Sequence, residues 1–161
     1  MESLKVYILI ANRVYNDGIR SGLGLAVAQF LVANGGKVAL FDLNAANGAE
    51  AVAALGAANA AFFPTNVTDE AGVAANLAAA KDFLGGLNVL MNCAGILGAG
   101  RVLGREAAMP LANFQTTVMV NLVGSFNVAK AAAELMQHND AGVDGERGVI
   151  VNTASVAAYE G

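Results

Sequence analysis

The feature that most constrains this chain is an alternation. Short apolar runs of strand length are separated by longer alanine-rich stretches. Val6–Ile10, Lys37–Phe41, Ala60–Phe63, Leu87–Met91 and Val149–Asn152 are β-branched or aromatic and apolar on both faces. A strand takes that pattern when helices cover it on each side, as in a parallel sheet. Leu23–Ala33, Ala46–Leu55, Glu70–Phe83 and Leu111–Met136 predict the helices between them. Gly35-Gly36 and Gly85-Gly86 fall where two of these helices should stop, because glycine enters the left-handed region at little cost. The order implies a doubly wound α/β fold: a parallel sheet of about five strands with right-handed crossovers, in one domain over residues 1–161. On the last helix Phe114, Val118, Leu122, Phe126, Ala129, Ala133 and Met136 recur at helical spacing, and most are expected to face the core.

Composition narrows the class. The chain is 56% hydrophobic and 14% charged, too apolar for disorder, yet no apolar run reaches the length of a membrane span. A formal net charge of −4 argues against nucleic acid or an anionic membrane as partner, since both call for basic patches. Met1–Lys5 shows no basic stretch followed by an apolar signal core, so a cytoplasmic location is expected, or the mitochondrial matrix if the source is eukaryotic. Without a secretion signal, Asn66-Val67-Thr68 is set aside as a glycosylation acceptor. Cys93 is the only cysteine, which excludes an internal disulfide and is read as a small packing residue rather than a nucleophile. His138 sits among Gln137, Asn139 and Asp140 at a helix end and is expected in solvent. Glu106, Glu134, Asp140 and Asp144 are scattered, so no metal site is expected.

One segment carries phosphate chemistry. Gly18, Gly22 and Gly24 occupy relative positions 1, 5 and 7 of Gly18–Gly24, between the first strand and the first helix. A pyrophosphate needs close backbone approach at a helix amino terminus, where unpaired N–H groups and the dipole favour anions. Asp42 ends the second strand 18 residues past Gly24, where a carboxylate can accept from adenosine ribose hydroxyls and repel a 2′-phosphate. That favours NAD over NADP, a preference Arg20 could blunt. The pattern has a defect, because Asn12–Asp17 separates the first strand from Gly18 and must loop out or prolong the strand.

Four further segments complete a pattern: Asn66-Val67, Asn92-Cys93-Ala94-Gly95, Asn121, and Asn152-Thr153-Ala154-Ser155. With the glycines and Asp42 they make the chain resemble the short-chain dehydrogenase/reductase family, whose fold is a Rossmann-type sheet. Cys93–Ile96, Gly100–Gly104, Gly145–Ser155 and Val156–Gly161 resemble the type 2 3-hydroxyacyl-CoA dehydrogenase group within it. That group includes 17β-hydroxysteroid and 2-methyl-3-hydroxybutyryl-CoA dehydrogenases. The resemblance runs from about Gly18 to Gly161 and is poor over Tyr7–Asp17.

The resemblance implies NAD as cofactor and an acyl-CoA or hydroxysteroid-like alcohol as substrate, in a homo-oligomeric enzyme of fatty acid metabolism. It implies that Ser21, Gly22, Leu23 and Gly24 line the pyrophosphate and ribose, and that Asp42 holds the adenosine ribose. Asn66 would hydrogen-bond the adenine amino group while Val67 packs on the ring, and Cys93, Ala94 and Gly95 would line the nicotinamide-side ribose. Asn66 stands where the family has aspartate, and its amide oxygen can still accept. Asp17 stands where the family has threonine and brings negative charge near the phosphates.

For catalysis the resemblance implies Ser155 as the holder of the substrate oxygen. It implies Asn121 as a break in helix bonding whose carbonyl orients a relay water. Neither titrates usefully as an acid or base. The family's Tyr-x-x-x-Lys pair is expected about a dozen residues past Ser155, and the chain ends six residues past it, so Tyr159 is no substitute. On this reading the 161-residue chain is a fragment, poorly soluble and catalytically inactive, with Val149–Val151 an unpaired apolar edge. Three readings stay open: an NAD-dependent dehydrogenase, a non-catalytic nucleotide-binding or homologue-pairing chain, and a nonfunctional remnant.

Overall fold

The computed structural model describes residues 6–10, 23–98 and 100–160, with 6–10 as backbone only. Five strands form one sheet in the order β3-β2-β1-β4-β5. They are β1 (Val6–Ile10), β2 (Lys37–Asp42), β3 (Ala60–Pro64), β4 (Val89–Asn92) and β5 (Val149–Asn152), and every pairing is parallel. The helices are α1 (Leu23–Ala33), α2 (Ala45–Leu55), α3 (Glu70–Leu84), α4 (Leu111–Val118), α5 (Ser125–Met136) and the short α6 (Ala157–Glu160). The doubly wound parallel sheet expected from the alternation, Rossmann-type as the resemblance implied, is present.

Strand β2 shows why its sequence is apolar throughout. Val38 and Leu40 pack with Ala28, Ala51, Leu55 and Ala60 on the α1–α2 face. Ala39 and Phe41 point the other way, into a core with Leu77, Leu90, Val128 and Met136 from α3, β4 and α5. A period of two divides the residues between two covered faces. Each fully buried Leu or Phe there contributes about 1.5–3 kcal/mol. Helix α3 has clear local signals: the Asp69 side chain accepts from the Gly72 N–H at its start, and Gly85 closes it at φ 77°. Lys130 of α5 pairs with Glu70 of α3, and the lysine holds that carboxyl below its usual range. Both groups are exposed, so the pair adds little stability.

Two expectations need correction, the start of the fourth strand and the core stripe of the long helix, and the break expected at Asn121 is seen. The fourth strand starts at Val89, not Leu87; Leu87 is buried, but its carbonyl accepts from the Asn139 side chain rather than from a strand. The stretch Leu111–Met136 is not one regular helix, because Met119–Gly124 forms a π-helical turn between α4 and α5. Its expected core stripe holds only near its end, where Met136 is buried and Ala129 packs against the core. Phe114, Leu122 and Phe126 are 56%, 67% and 68% exposed, while Val128, Ala131 and Ala132 lie against the sheet. The helix is apolar on two sides, and the small side, which allows closer approach, took the core. Strand β5 is at the sheet edge, with Val149, Ile150 and Val151 exposed, as the apolar-edge reading expected.

Candidate functional site

In a doubly wound sheet, ligands bind beyond the carboxyl ends of the strands, where the winding reverses. Here β1 lies between β2 and β4, so the chain leaves β1 to one side through α1 and crosses to the other through α3. The reversal falls between β1 and β4. The ends of β2, β3 and β5 share the same rim, since all five strands run in parallel.

Most of the residues singled out in the sequence gather on that rim. Asp42 is the last residue of β2 and is only 3% exposed, with one carboxylate oxygen accepting from the Asn44 N–H at 2.9 Å. Beyond β3, Asn66 is exposed and its amide oxygen accepts from the Thr68 N–H at 3.1 Å and the Thr68 hydroxyl at 2.9 Å. Val67 is buried, its side chain in the core beneath the rim, so the expected packing of that side chain on the adenine ring is corrected: it offers no open face there. Leu23 and Gly24 open α1, the first exposed and the second buried. Gly18, Ser21 and Gly22 lie outside the described residues, as do Asp17, Arg20 and the Asn12–Asp17 insertion.

Beyond β4, Cys93 is buried among α1, α2 and β2 residues, in keeping with a packing role, and Ala94 and Gly95 are half-buried. Asn121 governs this loop. Its amide oxygen accepts from the Ile96 N–H at 2.8 Å, and its amide nitrogen donates to the Ile96 carbonyl at 2.9 Å. One side chain thus satisfies both backbone groups of a residue 25 positions away. Asn121 lies inside the π-helical turn, where the inserted residue shifts the phase of the following helix by about 100°. The expected interruption of helix bonding at Asn121 is present.

Ser155 lies three residues past the end of β5, exposed, and its carbonyl accepts from the Ala158 N–H at 3.1 Å. Strands β4 and β5 are in register, with Asn92 opposite Asn152. Pairing continues past the strand ends, the Thr153 N–H donating to the Asn92 carbonyl at 2.9 Å. Asn92 is buried and its amide nitrogen donates to Asn152 Oδ1 at 2.8 Å and to the Ser125 carbonyl at 3.3 Å. Its own Oδ1 is buried and finds no donor among the described residues. The pair ties the loop carrying Ser155 to the one carrying Cys93–Gly95.

Sequence reasoning passed over Asn127, whose buried side chain donates to the Val67 carbonyl at 2.9 Å. Nothing in the sequence set Asn127 apart from Ser125, Lys130 and Glu134, the other polar residues of that helix. Among the described residues, no three His, Cys, Asp or Glu side chains gather to hold a metal ion. No described helix is long and apolar enough to cross a membrane.

The residues on the rim suit a dinucleotide. A buried carboxylate ends β2, an amide side chain follows β3, a small-residue loop follows β4, and the amino terminus of an 11-residue helix follows β1. Comparison with known proteins agrees with that fit. The 3-hydroxyacyl-CoA dehydrogenase type-2 of Drosophila melanogaster is 44% identical over 146 residues, 89% of this chain and 57% of that protein. A solved 3-hydroxyacyl-CoA dehydrogenase type-2 from Mycobacterium avium superposes with a TM-score of 0.79 at 30% identity, over 96% of this chain and 58% of its own. A solved 7α-hydroxysteroid dehydrogenase, complexed with NADH and 7-oxo glycochenodeoxycholic acid, matches with a TM-score of 0.78 at 25% identity, over 97% of this chain and 55% of its own. The chain therefore spans a little over half the length of these relatives. The family model for short chain dehydrogenases matches residues 14–161, and so this chain belongs to the short-chain dehydrogenase family.

Proposed function

We propose that this chain belongs to an NAD-dependent oxidoreductase that moves a hydride between nicotinamide and the alcohol carbon of a 3-hydroxyacyl-CoA or a related secondary alcohol. The observation that carries the reading is the convergence of Asp42, Asn66, Cys93–Gly95, Asn121 and Ser155 on one rim at the reversal of winding. When bound, the nicotinamide cofactor supplies the hydride acceptor or donor.

The chain's own residues divide the binding and positioning work, and none of them takes the alcohol proton, a task the family resemblance gives to a tyrosine–lysine pair. Asp42 accepts from the adenosine ribose hydroxyls, and its charge disfavours a 2′-phosphate, so NAD is preferred to NADP. Asn66 receives the adenine edge, held by the buried Val67 next to it, and Gly18, Ser21, Gly22, Leu23 and Gly24 line the diphosphate. Cys93, Ala94 and Gly95 border the nicotinamide-side ribose and are held by the Asn121 clamp on Ile96. Ser155 donates to or accepts from the substrate oxygen, which orients the alcohol carbon. A serine hydroxyl is too weak a base to take the alcohol proton, so its role is positional. The Asn121 carbonyl, in the π turn, orients a water on the proton's path. A hydroxyacyl-CoA or hydroxysteroid-like alcohol is the small-molecule partner, in a homo-oligomeric enzyme.

Calorimetric titration with NAD and NADP tests this reading. Saturable binding is expected, tighter for NAD, and Asp42→Asn should narrow the gap between the two. Absence of NAD binding, or a preference for NADP that Asp42→Asn leaves unchanged, would contradict it. A second reading has the chain hold nucleotide or pair with a homologue without turnover, and the exposed apolar edge of β5 favours it. Oxidation of a 3-hydroxyacyl-CoA with NAD by the purified chain would contradict this second reading.

A further inference from the structure

We infer that Asn127 is a positioning residue for the adenosine half of the bound dinucleotide, acting through the Val67 carbonyl. This rests on the reading that the rim holds NAD. Asn127 is 7% exposed and donates from Nδ2 to the Val67 carbonyl, 60 residues away, at 2.9 Å. Its neighbours on the buried side of α5 are Val128, Ala131 and Ala132. An amide among such residues is costly unless bonded, so the bond to Val67 accounts for it.

Two further observations show a built junction rather than a chance contact. Gly124 lies three residues before Asn127, and a Cβ there would stand 2.5 Å from Val67 Cγ2. Helix and loop approach this closely because that position has no side chain. The same loop is anchored at its other end by Asn76 of α3, whose Nδ2 donates to the Pro64 carbonyl and to Thr65 Oγ1, both at 2.8 Å. The loop after β3 is therefore fixed from two helices, with the α5 tie one residue past Asn66, the exposed side chain proposed to meet adenine.

The junction also links the two ends of the site. Asn121 holds Ile96 beyond β4, and the Ser125 carbonyl accepts from Asn92 at 3.3 Å. Residues 121–127 of one helical run thus touch the loops for both halves of the dinucleotide. The π turn lets them do so by changing the helix phase between Asn121 and Asn127. Recognition of a purine edge requires donors and acceptors held within about 0.5 Å of the productive geometry, which a loop alone does not provide.

Titrations with NAD, AMP and nicotinamide mononucleotide test the inference. Asn127→Asp keeps the shape but cannot donate when ionised, and Asn127→Leu keeps the volume without the amide. Each is expected to weaken AMP and NAD binding about tenfold and leave the mononucleotide unchanged. Asn139→Ala serves as the control, because Asn139 likewise donates to two backbone carbonyls, of Leu87 and Arg147, away from the rim. It should lower Tm without changing AMP affinity, whereas a merely structural Asn127 would behave in the same way. A measurement on the unaltered chain is independent of how the variants fold. AMP should shift the Asn127 side-chain amide resonances and slow their exchange, and the nicotinamide mononucleotide should not. If AMP binds while those resonances stay put and the variants keep full affinity, the inference is overturned alone. If neither NAD nor AMP binds the unaltered chain, the parent reading falls with it.

Discussion

Replacing Asn121 with alanine should release the loop beyond β4 while leaving the sheet intact. The side chain makes two hydrogen bonds to Ile96, at 2.8 and 2.9 Å, one as acceptor and one as donor. A neutral intramolecular hydrogen bond contributes a net of about 0.5–1.5 kcal/mol, so the pair is worth about 1–3 kcal/mol. Asn121 is exposed and Ile96 half-buried, so water can replace part of what is lost, which places the value near the lower end, about 1–2 kcal/mol. If local opening of this loop governs exchange, the Ile96 amide should exchange about 5–30 times faster in Asn121→Ala. Amides in β2 and α3 rest on the two cores and should keep their rates. Amide hydrogen exchange followed by NMR reads both together. Unchanged exchange at Ile96 would refute the clamp. Uniform acceleration across β2 and α3 would show that Asn121 supports the whole fold rather than one loop.

Other positions give sharp outcomes. Gly124→Ala places a methyl 2.5 Å from Val67 Cγ2, an overpacking cost of about 1–3 kcal/mol against about 1 kcal/mol of helix propensity gained. Thermal unfolding should show Tm lowered by up to about 8 °C, and a raised Tm would contradict the close contact. Val151→Lys puts a charge on the exposed apolar edge strand and should reduce self-association in light scattering, with little change in Tm. Undiminished association would place the sticky surface elsewhere.

Much of the fold was legible because a parallel sheet leaves a coarse record. Strands such as Lys37–Asp42 must be apolar at every inward position on two faces, and their short length, bounded by turn residues such as Gly35 and Gly36, sets them apart from helices. Glycine at 35 and 85 marked real helix ends, with φ of 82° and 77°. Asp42 was legible from its place at the end of the second strand, and Asn66, Cys93–Gly95, Asn121 and Ser155 from the resemblance to the family. Parallel strands bring their carboxyl ends together.

Choices between equivalent surfaces were not legible. Leu111–Met136 carries apolar residues on two sides, and periodicity alone cannot say which one meets the sheet. The structure resolved this in favour of Val128, Ala131 and Ala132, whose small size permits close approach, and left Phe114, Leu122 and Phe126 outside. The link from Asn127 to Val67 and the pairing of Asn92 with Asn152 each join residues 60 positions apart. By itself, then, the amino-acid order determined the number and direction of the strands and the rim on which polar residues gather, because burial on two faces is written locally. Only the tertiary structure decided which amide holds which loop, because a hydrogen bond between distant segments depends on a separation that exists only after the layers have packed.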